Sequence, residues 1–434
     1  MSEHSPVVEA NGKLPPQPWM AWPETRAVVA ALSAEGAEVR FIGGCVRDSI
    51  LKRPVTDIDI ATPDHPERVV ALLQRAGIQA VPTGIDHGTV TAVAGDRQFE
   101  VTTLRIDVET DGRRAKVAYT DDWVADAARR DFTINTFSCT LDGDLFDPFE
   151  ALGDLARGRV RFVGNPTQRI DEDVLRILRF FRFQAYYGRP PADAEALAAC
   201  RLRAPRLDSL SGERVRNELL RILLAPDPAA ALLLMRGERV LERVLPEVGE
   251  RTRHIGRLRT LVWLETRALG MDAIEPDTMR RLAAVLDTDA EGAARVAKRL
   301  HLSNRQTDRL IGLAAPSFDI VAGMQDDALR RALHRWGGET VRDLALIGWA
   351  AERAVDTRQP EARTAAWRTI VEAAATWRPI AFPLHGRDVL ALGLAPGPAV
   401  GQAIKRVEDW WEEGGCRADR EACLARLTAI VRER

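Results

Sequence analysis

"FIGGCVRDSILKRPVTDIDI" (Phe41–Ile60) sets a Gly pair, an Arg-Asp pair and two further acids into an apolar framework of Phe41, Ile42, Val46, Ile50, Leu51, Ile58 and Ile60. "AEVRFIGG" reads as a strand closed by glycine, "CVRDSILK" as the first turns of a helix, and "DIDIAT" as a half-buried strand of period two. A Gly-Gly turn between strand and helix leaves backbone N–H groups open to an anion, and the helix start adds its positive dipole end. Arg47, one turn into the helix, carries a guanidinium fork suited to phosphate. Alone, Gly43 and Gly44 describe any strand–helix turn. Asp57 and Asp59 change that reading. Residues two apart on a strand share a face, and two carboxylates there repel unless a cation joins them. An oxygen-only pair suits Mg²⁺. A phosphate cradle followed about a dozen residues later by a metal pair is what a nucleoside triphosphate and its metal require.

Working outward, "GTVTAVAG" and "RQFEVTTLRI" give two more strands around a turn at Gly95-Asp96, and Glu100 falls on the polar face of the second. It offers a third carboxylate. Beyond about residue 150 the apolar residues adopt helical spacing, as in "DEDVLRILRFFRFQAYYG" and "SGERVRNELLRILLA". The expected fold class is therefore α+β: a mixed sheet with helices, followed by an all-α region. A chain of 434 residues exceeds one core, so several domains are expected.

The composition, 46% hydrophobic and 29% charged, is that of a globular protein, and a net charge of −2 confines any nucleic-acid surface to a local patch. Such a patch is available between Arg161 and Arg221, with 12 Arg against 8 acids. Five scattered cysteines without C-x-x-C spacing argue for a reducing compartment and against a zinc site. Residues 1–23 are polar and Pro-rich, read as a disordered extension without the apolar segment of a signal peptide. No apolar run reaches membrane-spanning length, so the cytoplasm is expected. Nothing in the sequence calls for an obligate protein partner. Trp349, Trp367, Trp377, Trp410 and Trp411 read as packing residues.

Six ordered segments carry a specific resemblance: GG-x-x-RD (Gly43, Gly44, Arg47, Asp48), D-x-D (Asp57, Asp59), "FEVTTLRIDVETDGRRAKV", "RRDFTIN" (Arg129–Asn135), "DEDVLRILRFFRF" and "ERVRNELLRIL". Together they resemble the bacterial and eukaryotic CCA-adding tRNA nucleotidyltransferases of the polymerase-beta-like superfamily. The likeness covers roughly residues 38–225 and looks closest to the mitochondrial-like branch. It implies a nucleotidyltransferase palm (24–150), a nucleotide-selecting neck (151–225), a helical body (226–345) and a helical tail that binds tRNA (346–434). It also implies template-independent addition of C, C and A to the tRNA 3′ end from CTP and ATP with Mg²⁺.

By the same resemblance Asp57 and Asp59 bind the metal, Glu100 is the third acid, and Gly43, Gly44 and Arg47 contact the triphosphate. Arg130 is a nucleotide contact, with Asp131 and Asn135 as sugar or structural contacts. Asp173 and Arg176, three apart on one expected helix, read the incoming base. Cytosine and adenine each present an exocyclic amine donor beside a ring-nitrogen acceptor, which an Asp acceptor and an Arg donor match. Uracil and guanine present the reverse order. Arg179 and Arg182 are further nucleotide contacts, with Arg182 rotated furthest from Asp173. The polar, Gly-containing stretch Glu109–Lys116 resembles the flexible loop linked to switching from C to A. A poly(A) polymerase or a CC-only or A-only enzyme is the sister reading, and a non-catalytic tRNA-binding protein would have lost carboxylates that are present here. No His is followed by Asp, so no appended metal phosphohydrolase domain is expected.

Overall fold

The computed structural model describes residues 9–85, 88–111, 114–249, 252–266 and 274–433, with backbone alone over 107–111 and 114–116. The chain forms two compact units, one of Met1–Ile222 with Leu234–Val244, the other of Leu223–Leu233 with Leu245–Arg434.

The first unit is built on an eight-stranded mixed sheet. Its strands are β1 (Gly12–Lys13), β2 (Arg40–Ile42), β3 (Ile58–Thr62), β4 (Gln79–Gly84), β5 (Thr89–Ala94) and β6 (Arg97–Thr103), with β9 (Ser138–Cys139) and β10 (Asp144–Phe146). The order is β1-β10-β9-β2-β3-β6-β5-β4, and a separate antiparallel ribbon joins β7 (Arg105–Asp111) to β8 (Arg114–Tyr119). β3 and β6 run parallel while the remaining pairs are antiparallel. The period of two assigns the faces: on β6, Phe99, Val101 and Thr103 are buried while Gln98 and Glu100 are exposed. Helices α1 (Pro23–Leu32) and α3 (Pro66–Arg75) supply Val28, Leu32, Val69, Leu72 and Leu73 to the core of this unit. The short α2 (Gly44–Ile50) starts at the Gly-Gly turn.

Two expectations fail here. Residues 9–23 are ordered: Gly12 and Lys13 extend the sheet beside Leu145 and Asp144, and Trp19 and Met20 are buried. Trp19 packs edge-on against Phe41 at 4.7 Å and donates from its indole to Ser49 Oγ at 3.0 Å. The Pro-rich composition hid three apolar anchors, Leu14, Trp19 and Met20. The segment Glu109–Lys116 is the outer part of the β7–β8 ribbon, not an open loop; its tip, residues 112–113, lies outside the described residues.

α4 (Trp123–Ala128) lies between β8 and β9, and the sheet is followed by α5 (Ala151–Arg157), α6 (Pro166–Glu172), α7 (Arg176–Tyr187), α8 (Ala194–Arg203) and α9 (Gly212–Leu223). α7 buries Ile177, Leu178, Phe180, Phe181 and Phe183. Phe132, at the turn of "RRDFTIN", packs tilted against Phe183 of this set at 5.1 Å and against Phe162 at 4.8 Å. These aromatic contacts seat that turn against α7.

Against the expectation of one shared helix, Asp173 does not lie on a helix with Arg176: the chain breaks between α6 and α7, with Asp173 extended at φ −151°, ψ 110°. Its Oδ1 accepts from Leu175 N at 3.1 Å, the local side-chain bond by which aspartate competes with helix.

Among the described residues the second unit contains helices and no strand. Its core holds a buried charge network: Glu265 accepts from both Arg280 and Arg281, and Asp343 accepts from Arg280 and from the part-exposed Arg309. The long helix Asp326–Val355 kinks at Gly337, whose φ of 77° only glycine adopts readily. Trp349, Trp367 and Trp411 are buried, as packing residues should be, and all five cysteines are free and buried. No helix of the described residues is long and apolar enough to cross a membrane.

Candidate active site

A cleft of about 780 Å³ opens over one face of the sheet in the first unit, within the range typical of small-ligand sites (~300–1,000 Å³). Seven arginines and four acids line it.

Its floor is the Asp59–Glu100 pair. The parallel register sets Asp59 on β3 directly opposite Glu100 on β6. Burial, then the facing Glu100 carboxylate, push Asp59 up to about 6, with Arg130 acting the other way. Two oxygen donors in like-charged opposition fit a hard divalent cation, which would relieve both causes. Asp57 stands outside this pair. It is exposed one residue before β3, where Oδ2 accepts from Thr56 Oγ1 at 3.2 Å. Among the described residues no three His, Cys, Asp or Glu side chains are gathered closely enough to hold a metal.

The Gly-Gly turn closes one side. Gly43 has φ 68°, and a Cβ there would meet Arg130 Nη1 at 3.1 Å, so glycine serves both the backbone and the arginine's approach. Arg47 is buried and already engaged: it donates to Asp48, to Asn135 Oδ1 at 2.6 Å and to Tyr187 OH at 2.6 Å, and lies 4.1 Å over the Tyr187 ring.

"RRDFTIN" folds into a connected set of ion pairs. Asp126 accepts from Arg129 and Arg130, and also from the backbone N–H of Arg105. Asp131 accepts from Asn135 Nδ2 at 2.9 Å and from Arg179 at 2.6–2.7 Å. Burial would raise the Asp131 carboxyl, but Arg179 and the Asn135 hydrogen bond outweigh it and hold it below the ordinary aspartate range.

Asp173 and Arg176 both reach the cleft but do not bond to each other through their side chains. Asp173 Oδ2 accepts from Arg214 Nη2 at 2.7 Å, whereas Arg176 pairs with Glu172. Arg179 lines the cleft. Arg182 does not; it pairs with Glu218 on α9, in keeping with its rotation away from Asp173. Sequence reasoning passed over Arg214 and Tyr187. "ERVRNELLRIL" held the first signal: Arg214 and Glu218, four apart, share one face of α9 and hold the charged residues of α6–α7.

A nucleotide-sized cleft with paired acids, a Gly-Gly turn and an arginine wall defines a polymerase-type nucleotidyltransferase. Family models agree: the poly A polymerase head domain matches residues 39–161, and "Probable RNA and SrmB- binding site of polymerase A" matches 193–251. The chain is 32% identical over 407 residues to the mitochondrial CCA tRNA nucleotidyltransferase 1 of Danio rerio, covering 90% of this chain and 87% of that one. It is 32% identical to the CCA-adding enzyme of Streptococcus gordonii, covering 93% and 96%. The solved structure of the Bacillus stearothermophilus CCA-adding enzyme in complex with CTP superposes with a TM-score of 0.75 at 25% identity, covering 94% of this chain and 97% of that one. The chain belongs to the CCA-adding tRNA nucleotidyltransferase family. The likeness runs well past residue 225, where the recognisable motifs stop.

Proposed function

We propose that this chain adds C, C and A to the 3′ end of tRNA, from CTP and ATP and without a nucleic-acid template. The observation that carries this is the Asp59–Glu100 pair lying in one cleft with the Gly43–Gly44 turn and with Asp173 and Arg176. In this reading Mg²⁺ sits on the Asp59–Glu100 pair with Asp57, exposed just before β3, as the further carboxylate, and Gly43, Gly44, Arg47 and Arg130 bind the triphosphate. Asp173 and Arg176 face the base edge, and Arg179 and Arg182 support them. Asp131 and Asn135 fix Arg179 and Arg47 in place. The divalent ion, when bound, supplies electrostatic stabilisation of the charge that develops on the phosphoryl oxygens. The 3′ oxygen of the RNA bonds to the α-phosphorus as the bond to the β-phosphate oxygen breaks. Pyrophosphate leaves and the hydroxyl proton passes to solvent.

The organisation we propose is a palm over 24–150 that also takes in the sheet strand and buried anchors of residues 9–23, a neck over 151–225, a body over 226–345 and a tRNA-binding tail over 346–434. Five free, buried cysteines support a cytoplasmic location. The test incubates a tRNA lacking its 3′ CCA with each NTP singly and in pairs. CTP alone should add two residues, and CTP with ATP should complete CCA. Long products from ATP alone would instead mark a poly(A) polymerase, and arrest after two residues with both nucleotides a CC-only enzyme.

A further inference from the structure

The sheet face that carries the acids is polar on both sides of them, and the two sides differ in chemistry. In sheet order the Gly43–Gly44 turn follows β2, Asp59 lies on β3, Glu100 and Thr102 on β6, and Thr89 on β5. Glu100 and Thr102 are two apart and share a face, and Thr89 pairs directly opposite Thr102. Strands lie ~4.8 Å apart, so these two threonines stand one and two strands beyond β3, level with Ala61 two residues along from Asp59, on the side away from Gly43 and Arg47. Both line the cleft and both are part-buried. Neither hydroxyl bonds to another described residue, whereas Thr103 Oγ1 donates to Asp64 O at 2.7 Å and Thr91 Oγ1 pairs with Thr83 at 2.8 Å. Arg105 lines the same end: its Nη1 lies 3.7 Å from where a Cβ on Gly88, the residue before Thr89, would stand.

Nucleotidyl transfer is an in-line displacement, with attacking and leaving oxygens on opposite sides of the phosphorus. With the triphosphate at the Gly43–Gly44 end and the acids in the middle, the attacking oxygen arrives from the β6–β5 side. We infer that Thr102, Thr89 and Arg105 seat the 3′-terminal nucleotide of the RNA primer. The two threonine hydroxyls meet its ribose 2′-hydroxyl, and Arg105 meets the phosphate on its 5′ side. This assignment rests on the nucleotidyltransferase reading above and extends it to the second substrate.

The test compares two tRNA primers lacking CCA, one ending in ribose and one in 2′-deoxyribose, each with its 3′-hydroxyl intact, on wild type and the isosteric Thr89→Val/Thr102→Val variant. Wild type should use the ribose end about fivefold to tenfold better, and the variant should discriminate by under about twofold, each hydrogen bond contributing modestly. KM for primer should rise in the variant while KM for CTP stays unchanged; Arg105→Gln should do the same. If the double variant fails to fold, Thr102→Val alone carries the comparison. A wild type indifferent to the 2′-hydroxyl, a variant with undiminished preference, or a KM rise confined to CTP overturns the assignment. No incorporation by wild type with any NTP overturns the nucleotidyltransferase reading itself, a separate result.

Discussion

Asp59 on β3 and Glu100 on β6 face each other across the parallel strand pair, so the cleft floor carries two opposed carboxylates on adjacent strands. Burial and Glu100 raise Asp59 to about 6, above the ordinary aspartate value. The folded state therefore holds this proton more tightly than the unfolded state, and without metal stability falls as pH rises from about 4 through 6. Asp59→Asn should raise the metal-free melting temperature at pH 7.5 and leave it nearly unchanged at pH 4, while abolishing nucleotide incorporation. Mg²⁺ should raise the wild-type melting temperature at pH 7.5 and not that of the variant. Thermal melts at the two pH values, with and without Mg²⁺, check this; a destabilised Asp59→Asn at pH 7.5 would contradict it.

Asp131 shows the opposite sign. Arg179 and Asn135 hold its carboxyl below the usual range against burial, so its contribution is fully present above the unfolded value near 3.8 and is lost as pH falls towards the folded one. Asp131→Asn leaves Arg179 without its closest carboxylate and should cost about 3 kcal/mol at pH 7. Below pH 4 the gap between variant and wild type should shrink. Urea titrations at pH 7 and pH 3.5 measure both, and a gap that widens in acid would count against the ion pair.

Much of this site was legible because its signals are local. The period-two strands, the Gly-Gly turn and the acids of β3 and β6 depend on residues one to three apart, and the structure keeps Gly43, Arg47, Asp59, Glu100 and Arg130 together. What was not legible depends on distant partners. Asp173 leaves the helix because its own side chain caps Leu175 and because Arg214, 41 residues on, takes its second oxygen. Arg47 is bonded to Tyr187, 140 residues away. The order of residues 9–23 likewise depends on Trp19 meeting Phe41 and Ser49.

Trp19→Ala should accordingly destabilise the first unit by roughly 3–5 kcal/mol, the usual result of emptying a buried tryptophan site. A truly disordered extension would show no change. A denaturant midpoint for the variant decides between them.

Tyr187 holds Arg47 in two ways, by its hydroxyl at 2.6 Å and its ring face at 4.1 Å, while the same hydroxyl donates to Asp48 at 3.0 Å. Tyr187→Phe keeps the ring and removes the hydroxyl. Arg47 loses a fixed bond, so KM for CTP and for ATP should rise by similar factors, about threefold to tenfold. Base preference should not move, because the triphosphate is common to both substrates. Unequal effects on CTP and ATP would separate Tyr187 from the triphosphate end of the cleft.

Asp173 and Arg214 give the sharpest test of nucleotide choice. Asp173 Oδ2 is held at 2.7 Å by Arg214 and Oδ1 by the Leu175 N–H, which fixes the carboxylate at the cleft wall. An acceptor held there suits the exocyclic amine of cytosine or adenine and opposes the carbonyl of uracil or guanine. Asp173→Ala should lower CTP and ATP use by the equivalent of roughly 1–3 kcal/mol, by leaving the amine unpaired, and narrow the preference for CTP over UTP. Arg214→Gln keeps the carboxylate but frees it to turn, so selectivity should fall less than in Asp173→Ala. A part-buried ion pair with only a structural role predicts a stability change and no change in preference. Competition between CTP and UTP on wild type and both variants separates the two: an unaltered ratio in Asp173→Ala removes this residue from base selection.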